Sequence, residues 1–198
     1  MIHYKKYSIK NSKKQWITFI HGAGGSSAIW KKQIPFFSKA FNLLLVDLSG
    51  HGYSVTNYAQ KSKDKISFES ILNDVLEVLD NLNIKKSHFI GISLGTVIIN
   101  QLVLKEPNRI LKMVLGGATL ELNFMSRFMM YFAYATKSIV PYMWLYKLYA
   151  FIVMPSKTDR ESRKLFIKEA KRMNQKEVVR WFKLTPGVLR LLKFFKNV

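Results

Sequence analysis

The sequence of 198 residues contains no cysteine, which excludes disulfide cross-links and thiolate metal sites. Histidine is scarce as well. His3, His21, His51 and His88 form no close ligand pair, so neither a metal ion nor any other cofactor is expected. All four precede residue 93, and residues 94–198 hold none. Acidic side chains number 12 against 32 basic ones, a formal net charge of +20. Such an excess raises nucleic acid or an anionic membrane as partners. It is spread along the chain, however, with 16 basic and 7 acidic residues in 1–120 and 16 and 5 in 121–198, and no nucleic-acid motif accompanies it. A solvated basic surface with no nucleic-acid partner is the expectation, and a peripheral anionic-membrane contact stays open.

Long apolar runs are also lacking. The first residues, "MIHYKKYSIKNSKKQW", carry no apolar signal segment, so a cytoplasmic protein is expected. Residues 121–155 contain ten aromatics, yet Arg127, Lys137, Lys147 and Lys157 divide this region into charge-free runs of nine, against the roughly 18 that a membrane-crossing helix needs.

What is present is an ordinary globular composition, 48% hydrophobic, in a chain long enough to bury a core. Short apolar runs, "QWITFIHG" (15–22), "NLLLVDLSG" (42–50), "KSHFIGIS" and "RILKMVLGGA" (109–118), suit buried strands. Between them "SFESILNDVLEVLDNLNI" spaces Ile71, Val75, Val78, Leu79 and Leu82 as on one helix face, with Ser67 and Ser70 as a helix start. Strands alternating with helices predict an α/β domain with a parallel sheet over residues 1–120. Residues 121–198 show no strand signal and are expected to be helical, apolar on one side and basic on the other.

The stretch Gly91-Ile92-Ser93-Leu94-Gly95 fits G-x-S-x-G between a strand-like and a helix-like segment. A serine at such a turn needs small neighbours on both sides, and the helix that follows aims backbone N–H groups at a developing oxyanion. "HGAGGSS" (21–27), which ends an earlier strand, can bring further N–H groups close. Taken alone it is a plain glycine-rich turn; paired with the serine elbow it gains a role.

With "DLSGHGYS" (47–54) and "EPNRILKMVLGG" following in order, residues 15–120 resemble the α/β-hydrolase superfamily. The resemblance implies Ser93 as nucleophile, an oxyanion hole from the N–H groups of Ala23 and Leu94, support from Gly22, His21, Gly91 and Gly95, and a helical cap over 121–198 lining an apolar small-molecule pocket. It also implies acyl chemistry on an ester or related carbonyl, by a serine rather than an aspartate nucleophile. The family's order of serine, acid, histidine finds no histidine after Ser93. His51 is the one substitute base worth weighing, and Glu121 is the weak candidate acid. The chain is therefore expected to represent the front of a hydrolase without its C-terminal strands, from a truncated gene, a frameshift or a split protein completed by another polypeptide, and to be poorly soluble or to self-associate when alone. A catalytically dead interaction or anionic-membrane-surface module is the alternative.

Overall fold

The computed structural model describes residues 1–9, 12–55, 66–118, 124–188 and 191. It divides into two compact units, Met1–Ala118 and Thr119–Val198.

The first unit is built on strands β1 (Tyr4–Tyr7), β2 (Trp16–Ile20), β3 (Asn42–Val46), β4 (Ser87–Ile92) and β5 (Ile110–Gly116). Their order in the sheet is β1-β3-β2-β4-β5, with β1 antiparallel to β3 and the other pairs parallel. Every residue of β3 is buried, because an interior strand covered on both faces reads as an unbroken apolar run. β1 was not expected from the sequence. Its "YKKY" is half exposed and pairs with the apolar β3, Tyr4 against Val46 and Tyr7 against Leu43, where lysines suit an edge strand.

Among the described residues, α-helices α1 (Ile34–Phe37), α2 (Phe68–Asn81) and α3 (Leu94–Lys105) lie between the strands. α2 starts where the serine spacing predicts, with the Ser67 hydroxyl accepting the Ser70 N–H and the Ser70 hydroxyl accepting the Ser67 N–H, each at 3.0 Å. Its face of Ile71, Leu72, Val75, Val78 and Leu79 is fully buried. Around β2, Phe19 packs on Trp30 at 5.0 Å and on Phe37 at 5.7 Å between ring centroids.

One consequence of this order positions the site. The chain leaves β2 toward β3 on one side and leaves β4 toward β5 on the other, so the carboxyl ends of β2 and β4 flank a topological switch point, where open α/β sheets form their crevice.

The second unit contains α4 (Phe124–Thr136), α5 (Tyr142–Val153), α6 (Arg160–Ala170) and α7 (Gln175–Phe182). Tyr146 and Tyr149 of α5 pack on Phe166 of α6 at 5.7 and 6.3 Å. Burial pushes the Tyr146 phenol above its ordinary pKa, and Tyr142 and Tyr149 add to the effect. Gln175 closes the turn between α4 and α5: its amide donates to the carbonyls of Lys137 (2.6 Å) and Val140 (3.3 Å) and accepts the Tyr142 N–H at 2.9 Å. Among the described residues, no helix is long and apolar enough to cross a membrane.

Candidate functional site

Ser93 stands between β4 and α3 with φ 50° and ψ −116°, a left-handed conformation that costs a non-glycine residue about 1–3 kcal/mol. Backbone bonds hold it there. Its N–H donates to Gly116 O at 2.9 Å, and its carbonyl accepts from the Thr96 N–H (2.9 Å) and the Thr96 hydroxyl (2.6 Å). The residue is exposed to solvent, so the strain presents the hydroxyl at the sheet's carboxyl edge.

The two glycines of the motif are a steric requirement. A β-carbon on Gly91 would lie 2.5 Å from Ile99 Cδ1 and 2.9 Å from the Gly95 carbonyl carbon; one on Gly95 would lie 2.3 Å from Ile20 O. These contacts let α3 turn sharply off β4 and press against the end of β2. The loop after β2 reaches the serine in turn, because a β-carbon on Gly22 would be 3.2 Å from Ser93 Cβ. Ala23, next in that loop, is exposed, and Leu94 is the first residue of α3, where N–H groups lack intrahelical partners.

The histidines brace this framework. His21 is fully buried; its Nε2 accepts the Leu48 N–H at 3.0 Å, so Nδ1 carries the proton and donates to Gly22 O at 2.7 Å. It thereby ties the loop after β2 to the loop after β3. His51 is buried beside it, 5.2 Å between ring centroids, with Nδ1 donating to Ser49 O at 3.2 Å. Burial, then the neighbouring His21, pull its pKa down to about 3, which keeps the ring neutral. His88 lies on β4 against Gln15.

His3 has a part that the sequence did not signal. Its Nδ1 meets Asp47 Oδ2 at 2.9 Å, and its N–H donates to the Ser54 hydroxyl at 2.8 Å. Asp47 also accepts the N–H groups of Ser27 (2.6 Å) and Tyr53 (3.0 Å). Burial pushes this carboxyl up, but the bonds from Ser27 and Tyr53 and the nearby His21 outweigh it, and the pKa falls below its ordinary value. Asp47 thus anchors three segments around the loops and acts in the framework. The one trace of this in the sequence is Ile2 and Tyr4 flanking His3 at strand spacing, with Ile2 buried. Glu121 lies outside the described residues. Among the described residues, none hydrogen-bonds to the Ser93 hydroxyl.

The sequence profile of the alpha/beta hydrolase fold matches residues 15–140. Among curated proteins, RutD of Agrobacterium fabrum, named as a candidate carbamate hydrolase, is 32% identical over 117 residues, which make up 59% of this chain and 43% of RutD. The Strigolactone esterase RMS3 of Pisum sativum is 23% identical over 111 residues, 56% of this chain and 41% of that protein. The chain thus spans less than half the length of these curated relatives. Among solved structures, the enol-lactonase of Burkholderia xenovorans LB400 superposes with a TM-score of 0.73 at 19% identity, covering 91% of this chain and 68% of the other. MenH from S. aureus gives 0.75 at 17% identity, covering 92% and 70%. With strand order, serine elbow and glycine loop in agreement, the chain belongs to the α/β-hydrolase fold family.

Proposed function

We propose that Ser93 is the nucleophile of a serine hydrolase acting on an ester or related carbonyl of apolar character. The Ser93 Oγ adds to the carbonyl carbon and its proton passes to a base. The oxyanion is held by the N–H groups of Ala23 and Leu94, collapse expels the alcohol, and water then cleaves the acyl-serine. The observation that carries this reading is the strained, exposed Ser93 with the Gly22 loop against it. The names of relatives, an esterase and an enol-lactonase among them, point to the same class.

The base is the open part of the machinery. Residues 94–198 contain no histidine, both ring positions of His21 are engaged in the framework, and burial holds His51 neutral with a pKa of about 3, a poor proton acceptor. Acylation by residues 1–198 alone is therefore expected to be slow and to depend on a proton acceptor from outside them. Fluorophosphonate labelling and p-nitrophenyl ester hydrolysis, with the Ser93→Ala variant alongside, test this. Slow labelling lost in Ser93→Ala and accelerated by added imidazole is expected; equal labelling of both proteins would overturn the assignment. A second reading, a non-catalytic binding module, is favoured by the absence of an acceptor for the Ser93 hydroxyl among the described residues. A folded chain that neither labels nor turns over ester would establish it.

A further inference from the structure

Residues 122–158 contain no acidic side chain, a stretch that includes α4 and α5. Both helices carry large apolar residues open to solvent, of the sort that a folded unit ordinarily buries. On α4, Phe124, Phe128, Tyr131 and Phe132 are exposed at spacings that place them along one stripe, with exposed Arg127 three residues after the first and four before Tyr131. α5 repeats the arrangement. Trp144, Leu148, Phe151 and Ile152 are exposed, and Lys147 stands three residues after Trp144 and four before Phe151. Two more cations lie over aromatic rings of the same stretch, Lys137 Nζ at 3.8 Å from the Tyr134 ring and the Arg163 guanidinium at 4.6 Å from that of Phe151.

An apolar stripe flanked by cations and free of anions matches one chemistry closely, that of an anionic phospholipid surface. Aromatic rings settle at headgroup depth, arginine and lysine stems lie along the apolar surface while their heads meet phosphate, and an acidic residue there would be repelled. The helices are 13 and 12 residues long, suited to lying in the interface plane. We propose that α4 and α5 form a docking surface for anionic membrane, through the Phe124–Phe132 and Trp144–Ile152 stripes and the cations Arg127 and Lys147.

The test is co-sedimentation of the whole chain with phosphatidylcholine vesicles, with and without phosphatidylglycerol, together with tryptophan emission. Trp144 is 73% exposed, so its burial in lipid shifts the emission to shorter wavelength. Binding to the phosphatidylglycerol vesicles alone, lost in high salt, is expected. Trp144→Ser with Leu148→Ser should weaken it about tenfold or more, since deletion of a buried apolar side chain costs enough to change partitioning by roughly that factor. Arg127→Gln with Lys147→Gln should also weaken it. Both pairs lie at exposed positions, so folding is checked simply by circular dichroism. The proposal is overturned by any of three results: no sedimentation with vesicles at low salt, loss on the charge substitutions with none on the apolar ones, or sedimentation equal without lipid, which would mark the stripe as a self-association surface. Ser93→Ala should bind as the wild type does, which keeps this outcome independent of the proposed catalysis.

Discussion

Gly95 lies so close to Ile20 that a β-carbon on it would stand 2.3 Å from the Ile20 carbonyl oxygen. That oxygen belongs to the backbone of a buried strand, so nothing can rotate away. Gly95→Ala must push α3 off the sheet, and a loss of about 3 kcal/mol is expected from urea unfolding. Gly91→Ala should cost less, because its nearest contact is the flexible tip of Ile99, although the Gly95 backbone at 2.9 Å keeps it above zero. Equal stability of Gly95→Ala and wild type would contradict the packing of α3 on β2.

Acid should destabilise the first unit in two windows. His51 binds a proton near pH 6.5 when unfolded but only near pH 3 when folded, so the unfolded state takes up more protons between these values. Stability is therefore fully present above about pH 6.5 and declines by about 1.4 kcal/mol per pH unit as pH falls toward 3. Asp47, whose folded pKa lies below 3.8, contributes stability above that value, and this is lost as pH falls beneath it. His21 and Asp47 are the charged or titratable neighbours of His51 that set its value. Urea midpoints at pH 7, 6 and 5 check the first window, and His51→Gln should flatten the slope. An unchanged slope would assign the acid sensitivity to other groups.

Much of the first unit was legible because its strands are nearly uniform in apolar character and its motifs sit at their ends. "NLLLV" can be little else than a buried strand, and Ser67 with Ser70 marks the first turn of α2. β1 escaped because its pairing is decided by β3, not by its own polar sequence, and the reach of His3 to Asp47 depends on that pairing. His51 illustrates the opposite limit. Its place in a loop beside the strand ends is local information, whereas its burial and low pKa depend on tertiary packing that no local pattern carries. In the second unit, the lack of a strand signal pointed to helices but not to which faces stay open.

The turn between α4 and α5 hangs on one side chain. Gln175 uses both amide N–H groups and its oxygen on backbone groups of residues 137, 140 and 142. Gln175→Ala removes three bonds at once, worth roughly 0.5–1.5 kcal/mol each, so about 2 kcal/mol should be lost and protease cleavage near residue 140 should rise. Gln175→Glu keeps the acceptor but removes both donors and should fall nearly as far. If neither variant changes the proteolysis pattern, the clamp is not what holds the turn.

The outer edge of β5 bears on how the chain behaves in solution. Among the described residues, no strand pairs beyond β5, and Leu111, Met113 and Val114 are 37%, 45% and 59% exposed. Successive residues of a strand point to opposite faces, so both faces of this edge carry apolar surface beside a row of unpaired backbone groups. Such an edge templates pairing with another chain. Sedimentation velocity over a range of concentrations should show association, and Met113→Lys with Val114→Lys should reduce it while leaving the free energy of urea unfolding within about 0.5 kcal/mol, the usual range for surface changes. Association that persists in this variant but disappears on Trp144→Ser with Leu148→Ser would move the contact from the sheet edge to the helical stripe. A chain that is monomeric throughout would show that the exposed edge by itself is too short, at seven residues, to hold a partner.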